Sequence, residues 1–473
     1  MTAPPAPAPA RGGAAARVLA GLAVLALGVF AFGWRLGVET SNGDELVYRD
    51  AGAAYWRGDV TPNPEHPPLA KHLVGLGGLL GDGSLTAERV PAAVCGVLVA
   101  VVLFAVTRRL AGTWTGLLAA LLWCALPLAP GVVPAHVARR ATLEAPLLLF
   151  TTCAVLAAQR VADRSTPGRW AVLGVAVGAA TASKLTGAAV AVVALAALWT
   201  HRRSWRAALP GAVLAGAVAV AVFCATYLPH GDRFWWGLRT VVAWQLEHAG
   251  RGAVQEVAGT VSAFPPWWSA WWFQAQYLGA AGTAALWSAA LLGAALVVRR
   301  RAGLPVVAAL AATTAALVAS PLKLPQYHDV AVPPLLVLAA VAVHALLTRP
   351  RAGAARLAGA VLVVVVLAPL ATVAAGHLAR VATTAPADYR VVARELPATA
   401  APVVVWGDAE ALRRLRPDLA LTGAVAPDCA AAALVVDPTV ANRVEGADTA
   451  AWVGACGWRL VLRADRLSVW AER

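Results

Sequence analysis

Charged residues are scarce in this chain: only 14% of its 473 residues are Asp, Glu, Lys or Arg, whereas 59% are hydrophobic. Soluble domains usually contain about 25% charged residues, so a soluble protein of this length would lack the polar side chains to cover its surface. The mean hydropathy is +0.67. The composition therefore excludes a soluble enzyme and predicts a membrane protein with several spans.

Cysteine and acidic residues are also few. The chain has 6 cysteines and no Cys-x-x-Cys pair, which excludes a disulfide-rich scaffold and gives no sign of a zinc or thiol-redox centre. The 25 acidic residues are outnumbered by 39 Lys and Arg, a net charge of +14 that in a soluble protein would suggest nucleic acid. Here the basic residues lie mostly between apolar runs, so we attribute the excess to membrane topology and expect no nucleic-acid partner.

Apolar runs long enough to approach the roughly 20 residues that cross a bilayer recur through most of the chain. Eleven such stretches are Val18–Gly37, Val90–Thr107, Thr113–Pro130, Thr142–Ala158, Trp170–Ser183, Gly187–Thr200, Leu209–Tyr227, Leu278–Val298, Leu304–Ser320, Val330–Leu347 and Leu357–Ala375. The first is interpreted as a retained span rather than a cleaved signal peptide, because no clean cleavage site follows it. Residues 1–16 before it are rich in Ala, Pro and Gly and are expected to be a disordered cytoplasmic tail.

Arginine clusters recur at every second boundary between these stretches, as the positive-inside rule requires when the N-terminus is cytoplasmic. The clusters are Arg108 and Arg109; Arg160, Arg164 and Arg169; Arg202, Arg203 and Arg206; Arg299 to Arg301; and Arg349, Arg351 and Arg356. Of the fourteen acidic residues before residue 377, only Asp163 falls in a cytoplasmic loop. We therefore predict a multi-pass plasma-membrane protein whose chemistry takes place at the outer face.

The chain divides into a membrane domain at residues 17–376, with outer loops at 38–89 and 228–277, and a C-terminal domain at 377–473. The second loop is rich in tryptophan, a residue that favours the membrane interface. After residue 377, strand-like runs alternate with a polar helix. The strands are expected at Val403–Trp406, Leu434–Val436, Leu460–Leu462 and Leu467–Trp470, and the helix near Asp408–Arg416. The predicted fold class is an all-α polytopic membrane protein with about eleven transmembrane helices and a small extracytoplasmic α/β domain.

Two adjacent acids follow the first span, in the segment GDELVYRD. The carboxylates of Asp44 and Glu45 lie close to apolar surroundings, where desolvation makes a carboxylate a plausible general base. The alternative interpretation is a solvated acid at a helix start, with Asn42 to Asp44 capping the helix. The segment EHPPLAK then brings Glu65, His66 and Lys71 near one another, which favours a functional site.

This order of motifs resembles the protein O-mannosyltransferases and their relatives, the bacterial lipid-A aminoarabinose transferases, which are glycosyltransferases of the GT-C type. The Asp-Glu pair and HPPLAK carry the specific part of the resemblance. The segments ARRATLEAPLLLF at 138–150, SKLTG at 183–187, KLPQYHDVAVPP at 323–334 and QLEHAGRG followed by FPPWWSAWW are weak alone and gain from their order. The resemblance covers most of residues 17–348 and implies a GT-C fold and a polyprenyl-phosphate sugar donor.

The resemblance also implies roles for individual residues. Asp44 matches the catalytic base that accepts the proton of the acceptor hydroxyl, and Glu45 is its partner in the pair. Glu144 stands where the family commonly has an aspartate, after an arginine that is either Arg139 or Arg140. A departing phosphate needs fixed cations. The expected phosphate-binding set is Arg139, Arg140, Lys71, Lys184, Lys323 and Tyr327. The competing interpretations are an Arg140–Glu144 salt bridge at i,i+4 and a snorkelling Lys184.

Two further sites are expected. Glu65, His66 and His248, together with Asp44, offer oxygen and nitrogen ligands for a divalent metal ion, although their spacing is not a metal signature. Cys429 and Cys456 each precede a strand-like run, and they would form a disulfide if those two strands were neighbours. The alternative is a pair of unpaired buried thiols.

The leading hypothesis is an inverting glycosyltransferase that moves one sugar, mannose or a related one, from a polyprenyl-phosphate donor to a hydroxyl of a protein, glycan or lipid. A transporter or flippase is the first alternative, but it would carry paired ionisable residues near the middle of its spans, where this sequence has almost none. A non-catalytic binder of a sugar-lipid is the second alternative.

Overall fold

The computed structural model describes residues 12–38, 43–81, 84–128, 136–348, 354–384, 389–407, 409–424, 427–437, 448–464 and 467–472. The helices in the membrane domain are α1 (Gly12–Gly33), α2 (Gly43–Trp56), α3 (Leu69–Leu80), α4 (Leu85–Ala111), α5 (Thr113–Ala125), α6 (Glu144–Asp163), α7 (Pro167–Ser183), α8 (Val192–Thr200), α9 (Trp205–Ala225), α10 (Phe234–Arg251), α11 (Ser269–Val297), α12 (Leu304–Ala319), α13 (Val332–Thr348) and α14 (Ala354–Thr383). Short 3-10 turns at Leu185–Ala191 and Pro325–Ala331 lead into α8 and α13.

Each of the eleven expected apolar stretches coincides with one of these helices. Within the described residues, six helices are long and apolar enough to cross a membrane by length and composition. Two of these spans are mostly exposed: only 11% of the apolar window in Arg202–Ala225, which contains α9, and 17% of the one in Leu357–Thr383, within α14, is buried inside the protein. Both helices therefore present apolar surface that lipid must cover. The chain is a multi-pass membrane protein, as expected. The expected disordered segment 1–16 lies largely outside the described residues, but its last part already belongs to α1.

The two expected outer loops contain ordered elements. The first holds α2 and α3, which cross where Gly52 and Gly75 meet. A Cβ on Gly52 would lie 2.3 Å from the carbonyl oxygen of Lys71, so the backbones touch and a larger residue would separate the helices. The second loop holds α10 and a hairpin of β1 (Gln255–Val257) and β2 (Thr260–Ser262). Trp235 and Trp267 in this loop are exposed, in keeping with contact with the bilayer.

The C-terminal segment folds around a mixed five-stranded sheet in the order β4-β3-β5-β7-β6. Its elements are helix α15 (Tyr389–Glu395), strand β3 (Val403–Trp406), helix α16 (Ala409–Leu415), strands β4 (Leu421–Thr422) and β5 (Ala433–Val436), a last helix (Thr449–Cys456), and strands β6 (Arg459–Ala464) and β7 (Leu467–Ala471). All four residues of β3 and all four of β5 are buried. Both faces of these strands are therefore covered, which explains why their sequences are apolar at every position instead of alternating. The expected strands and helix are confirmed.

A disulfide joins Cys429 to Cys456, with 5.2 Å between their Cα atoms. The expected pairing is therefore confirmed, but the expectation that the strands after the two cysteines are neighbours was wrong. Strand β5 pairs with β7, which separates it from β6. The bridge forms because Cys456 ends the last helix, whose buried Trp452 packs against Trp406 of β3.

Peptide mapping without reduction tests the disulfide and the predicted topology together. Cells form such bridges in oxidising compartments, so an extracytoplasmic domain is expected to yield one cross-linked peptide containing Cys429 and Cys456. Cys95 and Cys124, which are buried in the membrane domain, serve as controls and are expected to alkylate only after denaturation. An alkylatable Cys429 in the native protein would contradict both the bridge and the predicted side.

Candidate active site

Glu45, in the first turn of α2, is 1% exposed and forms a buried ion pair with Arg89 of α4. The guanidinium donates Nε to Glu45 Oε1 at 2.8 Å and Nη2 to Oε2 at 2.9 Å. The same Oε1 accepts the backbone N–H of Ala141 at 2.8 Å, and Arg89 Nη1 donates to the Leu36 carbonyl at 2.9 Å. Burial raises the pKa of Glu45, but Arg89, Arg140 and the Ala141 N–H together lower it by more, so the net direction is downward and the carboxylate stays ionised. Glu45 therefore ties α2 to α4, to the end of α1 and to residue 141.

Arg139 is 1% exposed and binds the end of α1 rather than an open cavity. Its Nη1 donates to the carbonyls of Ala31 at 2.9 Å and Trp34 at 3.0 Å, and its Nη2 donates to the Arg35 carbonyl at 3.3 Å. These are carbonyls that a helix end leaves without intrahelical partners. The sequence left open which of the two arginines binds a ligand. Arg139 binds backbone carbonyls, so Arg140 is the one available for a ligand.

Glu144 begins α6 and pairs with Lys184, which stands between α7 and the following 3-10 turn. Lys184 Nζ lies 2.6 Å from Glu144 Oε1, and both side chains are 6% exposed. The ammonium group also lies 4.4 Å from the ring centroid of Tyr327. The expected alternative of an Arg140–Glu144 salt bridge is not present among the described residues. Instead, a lysine forty positions away neutralises the acid.

Asp44 is the exposed member of the acid pair. Within the described part of the chain, no side chain bonds to its carboxylate. Loss of bulk water inside the site raises the pKa of Asp44, and the nearby Glu144 carboxylate raises it further, while Lys184 and Arg140 lower it; the net direction is upward. An accessible, unbonded carboxylate with a raised pKa is what a general base requires.

Arg140 is half-buried and supplies a cation to this acid. Its Nε is buried and has no hydrogen-bond partner among the described residues. A buried donor without a partner is costly, and a site that binds an anion removes that cost when it is filled. Arg140 is therefore the cation best placed to bind an anionic ligand beside Asp44.

Lys71 and Lys323, both expected to bind donor phosphate, use their ammonium groups elsewhere. Lys71 donates to Tyr55 Oη at 3.0 Å, to the His66 carbonyl at 2.7 Å and to the Asn63 carbonyl, and burial lowers its pKa to about 7. Lys323 donates to three carbonyls around the end of α12, at residues 317, 318 and 320. An ammonium group has three donors, so both lysines are fully occupied. They shape loops rather than bind phosphate.

The residues expected to hold a metal ion do not converge. Glu65 accepts a hydrogen bond from Asn63, and His66 Nδ1 faces Gln245 Nε2 at 3.4 Å. His248 is half-buried on α10. Among the described residues, no group of three or more His, Cys, Asp or Glu side chains is arranged to hold a metal ion. These residues therefore do not fit the expected metal site.

Asp329 is a site residue that the sequence interpretation missed. It lies two residues after Tyr327, is 1% exposed, and has no hydrogen-bond partner for either carboxylate oxygen among the described residues. Its charge interacts with Glu144 and Lys184, so a third acid adjoins the same cluster. The sequence signal was its place among the outer acids, next to the tyrosine already singled out.

Part of the chain matches a family model. Residues 65–229 match the model described as dolichyl-phosphate-mannose-protein mannosyltransferase. This range includes Lys71, Arg140, Glu144 and Lys184 but begins after Asp44. No curated protein sequence matches the chain.

Several solved structures share the fold. ArnT from Cupriavidus metallidurans in the apo state is 16% identical over 97% of this chain and 98% of its own, with a TM-score of 0.53. The same protein bound to undecaprenyl phosphate is 17% identical over 98% of both chains, with a TM-score of 0.50. The archaeal oligosaccharyltransferase AglB from Archaeoglobus fulgidus, in complex with an inhibitory peptide and a dolichol-phosphate, is 11% identical over 89% of this chain and 69% of its own, with a TM-score of 0.50. The chain thus has the GT-C fold that the motifs predicted.

Substitution of the two adjacent acids is expected to have different effects on stability. Glu45→Gln leaves Arg89 buried without its counter-ion, which costs about 3–5 kcal/mol in comparable cases. Asp44→Asn removes a partly desolvated charge without a bonded partner and is expected to leave stability unchanged or slightly raised. The measurement is thermal unfolding of the two purified variants in the same detergent. Equal melting temperatures for the two would contradict the assignment of Glu45 as a structural anchor.

Proposed function

We propose that this protein is a glycosyltransferase that moves one sugar from a polyprenyl-phosphate donor to a hydroxyl acceptor. The observation that carries the proposal is the accessible, unbonded Asp44 carboxylate beside a half-buried arginine and a buried acid–lysine pair. This arrangement places a proton acceptor next to cations that can stabilise a departing anion. The GT-C fold and the match to a mannosyltransferase family model support the same reaction class.

The donor is proposed from chemistry and from the structural relatives. The ArnT structure with undecaprenyl phosphate and the AglB structure with dolichol-phosphate both contain a polyprenyl-type phosphate. In this chain, a small cavity of about 40 Å³ lies beside Tyr327, lined by residues of α12 and of the turns before α8 and α13. Its lining is mainly apolar, and Lys184 lies over the ring of Tyr327, so the cavity offers apolar contact for the isoprenoid chain next to a cation that can bind the phosphate.

In the proposed reaction, Asp44 accepts the proton of the acceptor hydroxyl. The resulting oxygen nucleophile attacks the anomeric carbon opposite the phosphate, and the bond between that carbon and the phosphate oxygen breaks with inversion. The electron pair of the broken bond stays on the phosphate. Arg140 and Lys184 are the cations that stabilise this charge, and such fixed donors are commonly the largest catalytic contribution.

Glu144 is assigned to positioning rather than to proton transfer. Its carboxylate is bound to Lys184 and buried, so it holds the ammonium group in place beside Tyr327. Such a pair keeps the lysine protonated in a site from which water is excluded. A protonated lysine can then bind the donor phosphate without first taking up a proton.

The sugar is proposed to be mannose or a related hexose or pentose, and the acceptor a hydroxyl of a protein, glycan or lipid. The membrane-domain topology is proposed to place α2 and the C-terminal domain outside the cytoplasm. Comparison of envelope proteins, glycans and lipids by mass spectrometry, from cells with and without the gene, identifies both substrates. Loss of a hexose or pentose increment from one of these fractions is the expected result.

Asp44→Asn is expected to reduce sugar transfer by about 10²–10⁴-fold, the usual contribution of a general base. The assay measures transfer from a polyprenyl-phosphate sugar in proteoliposomes that contain the purified protein. The matched control is Asp232→Asn, which neutralises an exposed acid in the other outer loop and is expected to retain activity. The same assay with EDTA tests the metal requirement expected from the sequence. Full activity of Asp44→Asn would contradict the proposed mechanism.

The pH dependence of transfer gives an independent test of the same assignment. Because the pKa of Asp44 is raised, activity is expected to fall with acidification at a pH above the ordinary aspartate pKa of about 3.9. Arg140 lowers the pKa of Asp44, so Arg140→Gln is expected to move this acid limb to higher pH as well as slow the reaction. Arg160→Gln, at the far end of α6, is the control and leaves the limb in place. If the acid limb does not move in Arg140→Gln, the result would contradict the assignment of Arg140 as a cation that acts on the Asp44 carboxylate.

A further inference from the structure

A polar cavity lies at a distance from Asp44, where the turn between α8 and α9 meets the turn between α11 and α12. Its volume is about 670 Å³, within the range of pockets that bind small molecules. Five arginines line it, and no acidic side chain does: Arg202, Arg203, Arg299, Arg300 and Arg301. Two basic segments almost a hundred residues apart thus form one concave surface.

Hydrogen bonds to other helices hold the two turns in place. His201 Nε2 lies 2.9 Å from the Val161 carbonyl at the end of α6, and Arg300 Nη1 donates to the Leu110 carbonyl of α4 at 3.3 Å. The side chains of the other four arginines make no hydrogen bond or ion pair within the described residues. Their charges are therefore available to a ligand, while the backbone that carries them is fixed.

The cavity lies at the end of the helical bundle opposite the candidate active site. Helix α8 follows Lys184 by one 3-10 turn and ends at the cavity, and the 21 residues of α9 run back from it over about 30 Å. Trp199 and Trp205 flank the cavity and are 63% and 48% exposed. Tryptophans with this exposure favour the depth of lipid headgroups. The cavity is thus expected to open where the bilayer presents its phosphates.

Backbone groups add to the positive field. Helices α9 and α12 begin at Trp205 and Leu304, so their N-terminal N–H groups and positive dipole ends lie at the rim of the cavity. Topology alone explains why these turns are basic, but it does not require that five arginines converge on one cavity. The other basic turns at this end, at Arg108 and at Arg160 to Arg169, do not line this cavity.

We propose that this cavity binds the phosphate of an anionic lipid headgroup, in the leaflet opposite the candidate active site. Arginine is suited to this ligand because its planar guanidinium binds phosphate oxygens in pairs. The site would bind anionic lipid at the turns that join α8 to α9 and α11 to α12. A free phosphate group shares the same chemistry and is the other source that the experiment must separate.

The test compares lipid retention by native mass spectrometry of the full-length protein, released from nanodiscs that contain phosphatidylglycerol and phosphatidylcholine. A triple variant, Arg202→Gln, Arg299→Gln and Arg301→Gln, removes three unpaired charges and keeps Arg300, which binds backbone. The control variant, Arg108→Gln, Arg160→Gln and Arg164→Gln, removes three arginines from the same end of the bundle but outside the cavity. Inorganic phosphate at millimolar concentration forms a separate arm.

The wild-type protein and the control are expected to retain phosphatidylglycerol in preference to phosphatidylcholine, and the cavity variant is expected to retain at least tenfold less. Inorganic phosphate is expected to leave this retention unchanged; full displacement by phosphate would overturn the lipid source and assign the cavity to a soluble phosphate. Equal retention by the cavity variant and the wild type would overturn the site, and an equal loss in the control would reduce it to a general charge effect. Sugar transfer is not the readout, so these outcomes are independent of the proposed reaction.

Discussion

The buried pair of Glu45 and Arg89 is the interaction on which the candidate active site depends. It joins α2 to α4, and its remaining bonds reach the end of α1 and the backbone next to Arg140. Two charges can be buried in this way only when nearly every donor and acceptor is matched, and the removal of one partner is then strongly destabilising. The short helix α2, which is too polar to be held by lipid, is fixed by this pair and by its close crossing with α3.

A fixed α2 gives Asp44 a defined position without using its carboxylate. The first turn of a helix places adjacent residues about 100° apart, so one acid faces the protein and the next faces the site. The same division applies to the arginines that follow α5: Arg139 binds backbone carbonyls, and the Nε of Arg140 has no hydrogen-bond partner among the described residues. In both dipeptides the buried residue makes the bonds that hold the fold, and its neighbour is left available for a ligand.

Much of the fold could be predicted from the sequence because it depends on local pattern. Apolar length located eleven of the fourteen helices described in the membrane domain, all except α2, α3 and α10 of the outer loops, and short apolar runs located β3, β5, β6 and β7. The motifs around Asp44 and Glu144 also indicated the GT-C fold. The order of strands could not be predicted, since the insertion of β7 between β5 and β6 depends on contacts between distant segments.

The roles of the cations were the least predictable part of the site. Lys71, Lys184 and Lys323 all stand next to helix ends in the sequence and look alike there. The structure separates them by their partners: a carboxylate forty residues away for Lys184, and backbone carbonyls for the other two. Whether a basic residue holds the fold or remains available to a ligand is decided by such partners. The same criterion, applied at the opposite end of the bundle, distinguishes Arg300, which binds a carbonyl, from the neighbouring arginines, which have no partner within the described parts of the chain.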